Sequence, residues 1–499
     1  MRYILALDEG TTSARAVVYD TFEDKIIAQA HQEFKLIYKQ SGWVEADAVQ
    51  IYAAQVAALN EVIAQSDIDL KNVYGIGVTN QRETVVVWDR VTGAPLYNAI
   101  IWQCRRTAKY CETLSEDKQL CESIQLKTGL RIDAYFSATK IKWLLDNVSG
   151  LKMRAERGEV LIGTIDSYII YRLSRGKCFV TDMSNASRTM LFNIHTKMWD
   201  KDLLQLFGIP LCALPRVIGS DEKAGKTAIL NRDIDICGIA GDQQAALFGQ
   251  TCFKEGDAKN TYGTGCFILI NSGKIPKVSV NSLLTTIAWK IKGEVTYAYE
   301  GSVFNAGSAV QWLRDKMDFF KQSSDSEVLA LQAKNGDGTS GTDGVYVVPA
   351  FTGLGAPYWN QNARGIITGI TRNTDRNHII RATLESLAYS TKDVLICMEK
   401  EGLKLNELNV DGGAGNNNFL MQFQADILGC KIIRPVVTES TVMGAVYLCG
   451  LGTGAWKSIE EIKKHRKTDR VFSRQISEID AENLYIGWQN AVKQCTFIK

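Results

Sequence analysis

Apolar residues arrive along this chain in two rhythms. Residues 4–7 and 16–19 are short apolar runs on either side of the polar turn Asp8-Glu9-Gly10-Thr11-Thr12-Ser13, which predicts two strands joined by a turn. The spacing then changes to that of a helix. Ile51, Ala54, Ala58, Leu59 and Val62 share one helical face, with Asp47 and Gln50 ahead of it in capping-box positions. Residues 75–79 and 85–88 read as further strands, and Ile380, Leu384, Leu387, Ala388, Thr391, Leu395 and Met398 predict a second long helix. Strands alternating with helices predict an α/β architecture.

The opening pattern returns once. Thr261-Tyr262-Gly263-Thr264-Gly265 followed by the apolar run 266–270 is again a strand, a Gly/Thr turn and a strand. The repeat predicts two comparable domains, residues 1–250 and 251–499, and a length of 499 residues accommodates two large units. The formal net charge of +2 gives no electrostatic footprint for nucleic acid or an anionic membrane. The 12 cysteines are scattered without a Cys-x-x-Cys pair and read as buried thiols in a reducing compartment. The apolar run before Asp8 is too short for a secretory segment, and no apolar run is long enough to span a membrane. Cytoplasm is the expected location.

Three glycine-rich turns carry the candidate chemistry: Gly10-Thr11-Thr12-Ser13, Gly263-Thr264-Gly265 and Gly412-Gly413-Ala414-Gly415-Asn416-Asn417. Glycine lets backbone N–H groups approach phosphate oxygens, and the hydroxyls add donors. Each turn alone is as well explained by local structure; together they point to a phosphate-binding cleft, with Arg15 either a further positive charge or a surface residue. Asp8 is either a turn residue or a carboxylate facing phosphate through a magnesium ion. Asp242, in Gly241-Asp242-Gln243-Gln244, is either a helix cap or a general base across the cleft. Arg82 and Glu83, within Thr79-Asn80-Gln81-Arg82-Glu83-Thr84, are either a local ion pair or partners for a small polyhydroxy compound. Trp102 and Tyr135 suit either the core or the carbon side of such a ligand. Other nucleotide and metal motifs fail: residues 219–227 have five residues between the P-loop glycines instead of four, and the four histidines show no i, i+4 pair.

The strings around Asp8, Arg82 and Asp242 resemble the FGGY carbohydrate kinases, and within them the glycerol kinases. So do Trp102-Gln103-Cys104-Arg105-Arg106-Thr107, Asn185-Ala186-Ser187-Arg188-Thr189-Met190, Phe351-Thr352-Gly353-Leu354-Gly355-Ala356-Pro357 and Asp411-Gly412-Gly413. The resemblance implies two actin-like (ribonuclease H-like) ATPase domains closing on a catalytic cleft, with ATP and Mg²⁺ as cofactors and glycerol as substrate. By the same resemblance Arg82, Glu83, Trp102, Tyr135, Asp242, Gln243 and Phe267 hold glycerol, with Asp242 catalytic. Thr11, Thr12, Ser13 and Arg15 match the first phosphate loop, Thr264, Gly307, Gln311, Gly413 and Asn417 surround the nucleotide, and Asp8 stands near Mg²⁺, through water. A homo-oligomer, dimer or tetramer, is expected, with no nucleic acid and no membrane span. Other readings are a kinase for another polyol and an actin-like nucleotide switch; the Arg82, Glu83 and Asp242 constellation speaks against the switch, which needs no polyol pocket. Two departures stand out. Relatives inhibited by fructose 1,6-bisphosphate carry a glycine-rich loop where this chain has the glycine-free stretch 226–235, and Glu9 replaces a more usual Gln, adding a negative charge.

Overall fold

Alternation at period two buries both faces of the first hairpin. Leu5 and Leu7 join Ala16 and Val18 in one apolar cluster, while Ile4 and Ala6 join Val17 and Tyr19 in another. The computed structural model describes residues 1–497. In it β1 (Tyr3–Glu9), β2 (Ser13–Asp20), β3 (Lys25–Glu33), β4 (Val73–Asn80), β5 (Lys223–Lys226) and β6 (Asp235–Gly241) form one sheet in the order β5–β6–β4–β1–β2–β3. The first three strands are antiparallel, and β1, β4 and β6 run parallel.

The connection from β3 to β4 is α1 (Ala48–Ser66), whose buried face carries all five apolar residues of the sequence pattern. Asp47 caps it by accepting from the Val49 N–H at 2.8 Å. Gln50 is exposed to water, so the expected capping box is a plain aspartate N-cap. The predicted strand at 85–88 exists as Val85–Asp89, but it belongs to a separate five-stranded sheet beside the first.

A second sheet repeats the plan. Its strands are β7 (Ala258–Tyr262), β8 (Cys266–Gly273), β9 (Leu284–Ile291), β10 (Glu294–Val303), β11 (Glu407–Gly412), β12 (Lys431–Pro435) and β13 (Thr468–Phe472), in the order β9–β10–β8–β7–β11–β12–β13. Here too β7 pairs antiparallel with the strand that follows its Gly/Thr turn, and parallel with β11. The duplication read from two short strings thus reappears in the centre of both sheets, as an antiparallel hairpin whose first strand pairs parallel with a later strand; the outer strands differ in number and order.

The helices that matter for the site are α2 (Asp242–Gly249), α3 (Gly307–Asp315), α4 (Arg376–Lys400), α5 (Asn418–Leu428) and α6 (Ser440–Thr453). The seven apolar positions predicted for α4 are all buried. Although α6 comes from the second half, it packs on β1, β4 and β6 of the first and crosses α2, joining a core cluster that draws on both sheets. A Cβ on Gly444 would strike the Ala245 carbonyl, so this crossing requires glycine. The 12 cysteines are free thiols, most of them buried. Among the described residues no helix is long and apolar enough to cross a membrane.

Residues 226–235 close a short hairpin between β5 and β6, with the Thr227 N–H donating to the Ile234 carbonyl at 2.9 Å. This tight return leaves no glycine loop to wrap a bisphosphate. Fructose 1,6-bisphosphate at millimolar concentration is therefore expected to leave activity nearly unchanged; clear inhibition in a titration would put such a site on another surface.

Candidate active site

Parallel strands gather the three polar strings of the first half at one edge. Asp8 lies opposite Thr79, Glu9 opposite Asn80, and Gly241 opposite Asn80, so the loops after β1, β4 and β6 leave the sheet side by side. The second sheet does the same with the other two glycine turns. Tyr262 lies opposite Gly412, which places Gly263-Thr264-Gly265 beside Gly413. Gly412 sits at φ 82°, and a Cβ there would strike the Tyr262 carbonyl. Space is open around Gly413. Gly263 and Thr264 carbonyls in turn accept from the N–H groups of Gly307 and Ser308 at 3.0 and 3.1 Å, so this turn rests on the N-terminus of α3.

Arg82 leaves β4 through a turn in which Glu83 takes φ 60°, a left-handed conformation rare for a non-glycine residue and concentrated at functional sites. Its guanidinium is only 2% exposed and meets four partners. It donates to both Glu300 oxygens at 2.6 and 2.9 Å, to Gln244 Oε1 at 3.1 Å and to the Tyr135 hydroxyl at 3.2 Å. The Nε side faces Asp242 Oδ1 at 3.2 Å. Arg188, fully buried, donates to Glu83 at 2.6 Å and to Glu300 at 3.1 Å, so two arginines and two glutamates interlock. Burial opposes ionisation of Glu300, but the Arg188 and Arg82 guanidiniums prevail and pull its carboxyl down to about 2.

Above this network opens a cavity of about 170 Å³ lined by Thr11, Arg82, Glu83, Trp102, Tyr135, Asp242, Gln243, Thr261, Phe267 and the Gly263-Thr264-Gly265 turn. Every residue that the sequence assigned to glycerol lies on its wall. Trp102 stands edge-on to Tyr135 and Phe267, with ring centroids 5.6 and 6.1 Å away, and its indole N–H donates to Thr11 Oγ1 at 3.0 Å. Asp242 opens α2 as its first residue, with Gly241 as the cap. Its carboxylate is 29% exposed and accepts from its neighbour Gln243 twice, from the backbone at 2.8 Å and from the side-chain amide at 3.0 Å.

Asp8 lies near the end of β1, ahead of the turn that carries Thr11, within reach of the Asp242 charge. Burial raises its carboxyl to about 6, with Arg15 opposing and the Asp242 charge adding to the rise. No group of three His, Cys, Asp or Glu side chains gathers there or elsewhere among the described residues. A carboxylate that feels the charge of a second one, Asp242, with no cluster of thiols or imidazoles among the described residues, fits a hard cation that keeps its waters. Glu9 differs from expectation: it is fully buried, and desolvation raises its carboxyl well above the ordinary range, despite a hydrogen bond from Gln81 at 3.0 Å. Burial therefore opposes the negative charge that the replacement of Gln brings.

The remaining predicted nucleotide residues lie outside the cavity wall. Thr12, Ser13 and Gly413 sit on the turns already described, while Gln311 is exposed on α3. Arg15 pairs with Glu439 of the second half. Asn417 caps α5 by accepting from the Leu420 N–H at 2.9 Å. Sequence reasoning missed Glu300, Gln244, Lys259 and Thr261, and gave Arg188 no role.

Comparison with known proteins agrees with this arrangement. Residues 3–249 match the model of the N-terminal domain of the FGGY family of carbohydrate kinases, and residues 258–453 that of its C-terminal domain. A glycerol kinase of Symbiobacterium thermophilum is 54% identical over 495 residues, covering 99% of this chain and 98% of that protein. A glycerol kinase of Bacillus cereus is 52% identical over 496 residues, with the same coverage. Among solved structures, Plasmodium falciparum glycerol kinase with ADP superposes with a TM-score of 0.90 at 36% identity, covering 100% of this chain and 99% of that one. A xylulose kinase of Lactobacillus acidophilus shares the fold, with a TM-score of 0.87 at 23% identity and 99% of each chain covered. The chain belongs to the FGGY family of carbohydrate kinases.

Proposed function

We propose that this chain transfers the terminal phosphoryl group of ATP to glycerol, giving sn-glycerol 3-phosphate for glycerol catabolism. The observation that carries the reading is the cavity itself. Its volume of about 170 Å³, beside the Gly263-Thr264-Gly265 turn, admits a small polar ligand next to a phosphate-type turn. Its wall offers donors at Arg82 and Gln243, acceptors at Glu83 and Asp242, and the rings of Trp102, Tyr135 and Phe267 for the carbons. Such a pattern selects a polyol, because a hydroxyl missing from the ligand leaves a buried polar group unpaired at a cost of about 1–3 kcal/mol.

In this reading a terminal hydroxyl oxygen of glycerol attacks the γ-phosphorus in line. Its proton passes to the Asp242 carboxylate, the bond to the bridging oxygen breaks, and ADP leaves. Thr11, Thr12, Ser13 and Arg15 meet the phosphates from the first sheet, Arg15 exchanging Glu439 for them. Thr264, Gly307, Gln311, Gly413 and Asn417 line the nucleotide from the second. Asp8 would hold magnesium through water, and the bound ion would supply neutralisation of phosphate charge. The two units, 1–250 and 251–499, meet at this cleft; residues 498–499 lie outside the described ones. The reading includes a cytoplasmic enzyme and a homodimer or homotetramer, which light scattering on a sizing column resolves. The decisive assay is formation of ADP and glycerol phosphate by the purified chain. Product that depends on both ATP and glycerol supports the reading, and product from larger sugars in place of glycerol overturns it.

Because ATP bridges both sheets, it favours a closed cleft by its differential affinity for that state. Glycerol, roofed by Phe267 of the second sheet, adds to the same shift. Small-angle scattering is expected to show a smaller radius of gyration with glycerol and a non-hydrolysable ATP analogue together than with either alone. An unchanged radius in every ligand state would mean that the cleft is closed beforehand.

A further inference from the structure

Lys259 is fully buried on β7, and its ammonium ends beneath the cavity wall. It donates to Gln243 Oε1 at 2.6 Å, to Thr261 Oγ1 at 2.8 Å and to the Phe267 carbonyl at 3.1 Å, one acceptor for each of its three hydrogens. Gln243 then donates from Nε2 to Asp242 Oδ2 at 3.0 Å. An ammonium accepts nothing and an ionised carboxylate donates nothing. The amide between them therefore has one orientation, oxygen toward Lys259 and nitrogen toward Asp242. Without the ammonium only the Asp242 carboxylate favours that choice, and the amide oxygen loses its charged donor. A flipped amide would set its oxygen against the Asp242 carboxylate and present an acceptor where an N–H now faces the cavity.

We propose that Lys259 is a positioning residue for Asp242 in phosphoryl transfer, acting through the orientation of the Gln243 amide. The inference rests on the reading of Asp242 as proton acceptor given above, and it adds a residue that touches neither substrate. The charges around Lys259 come from four elements: Asp411 on β11, Asp242 on α2, Glu300 on β10 and Arg82 after β4. Burial lowers the lysine to about 8, with the three carboxylates opposing and Arg82 adding to the fall. The side chain thus holds its proton at neutral pH and releases it as pH rises through about 8. The neutral amine keeps two hydrogens for three acceptors, and the amide loses its lock.

The test is a double-mutant cycle on the full chain with Lys259→Met and Gln243→Met, reading kcat, both KM values, ADP affinity and melting temperature. Lys259→Met is expected to lower kcat by about 10- to 100-fold with the ATP KM within about threefold. In the Gln243→Met background the same change is expected to lower kcat by no more than about threefold, because the amide it acts through is gone. Equal effects in both backgrounds, or a Lys259→Met kcat close to that of the parent, would overturn the proposal. A second readout avoids mutating Lys259, in case that variant does not fold. The parent chain is expected to lose kcat above a midpoint near pH 8, and Gln243→Met is expected to lack that alkaline limb. A limb that persists in Gln243→Met would also overturn it. A parent chain with no glycerol-dependent ADP formation would remove the kinase reading and this inference together, whereas an active parent with independent effects would remove only the inference.

Discussion

Asp242→Asn is expected to lower turnover by about 10²-fold or more, the scale of a lost general base. The substitution keeps the size of the side chain and leaves one oxygen for the Gln243 backbone N–H, which donates at 2.8 Å. What it removes is the capacity to take up a proton from the attacking hydroxyl. With the remaining oxygen at the Oδ1 position, where it also faces Arg82 Nε, the amide NH₂ falls against the Gln243 side-chain amide and replaces an acceptor with a donor there. The glycine turns that receive ATP are untouched, so ADP affinity, followed by calorimetry, should stay within about threefold, well under the 1.4 kcal/mol of a tenfold change. Melting temperature should change little, since Asp242 opens a helix that Gly241 already caps. Turnover within a few-fold of the parent would remove Asp242 from proton transfer.

The same carboxylate illustrates how far the sequence can be read. The strand end, the glycine before Asp242 and the helix after it are local features, and they are legible as such. So were the hairpin of residues 4–19, the apolar faces of α1 and α4, and the repeat near residue 260. The seven glycerol residues were named through the family resemblance and then found on one wall. Glu300 escaped because nothing local marks it. It lies mid-strand in Tyr299-Glu300-Gly301, where a charged residue reads as a solvent-facing position, and its partner Arg82 is 218 residues away. Lys259 was missed for the same reason, its charge being satisfied by Gln243 and by acceptors on its own hairpin. Buried charges carry no periodicity; only the assembled sheets show that both lie inside. Arg15 and Asn417 show the converse. Their places in the pattern were clear, yet Arg15 has an ion-pair partner in Glu439 and Asn417 a helix to cap, uses that short-range motifs do not announce.

Arg82→Ala is expected to weaken glycerol use far more than ATP use, and to move acid unfolding to higher pH. Arg82 lies outside all three glycine turns, so its loss should raise the glycerol KM by about 10- to 100-fold, the scale of one or two hydrogen bonds to a charged group at about 1.5–3 kcal/mol each. The ATP KM should stay within about threefold. Stability suffers as well, because Glu300 keeps only Arg188 as an ion-pair partner, at 3.1 Å, and breaking a buried pair by removing one partner costs about 3–5 kcal/mol. The pH dependence follows from the direction of the Glu300 shift. Its folded carboxyl sits at about 2, below the ordinary 4.5, so its ionised form stabilises the native state above the ordinary value. That contribution is lost as pH falls from there through the folded value. Removing Arg82 takes away one of the three cations, with Arg188 and Lys259, that hold the folded value down, so protonation, and with it acid unfolding, begins at higher pH. Chemical denaturation followed across pH 2–6 measures the midpoint directly, and steady-state kinetics separate the two substrates. A variant that lost ATP binding while keeping glycerol would reverse the assignment of the pocket, and an unmoved acid midpoint would mean that Arg188 and Lys259 hold the charge on Glu300 without Arg82.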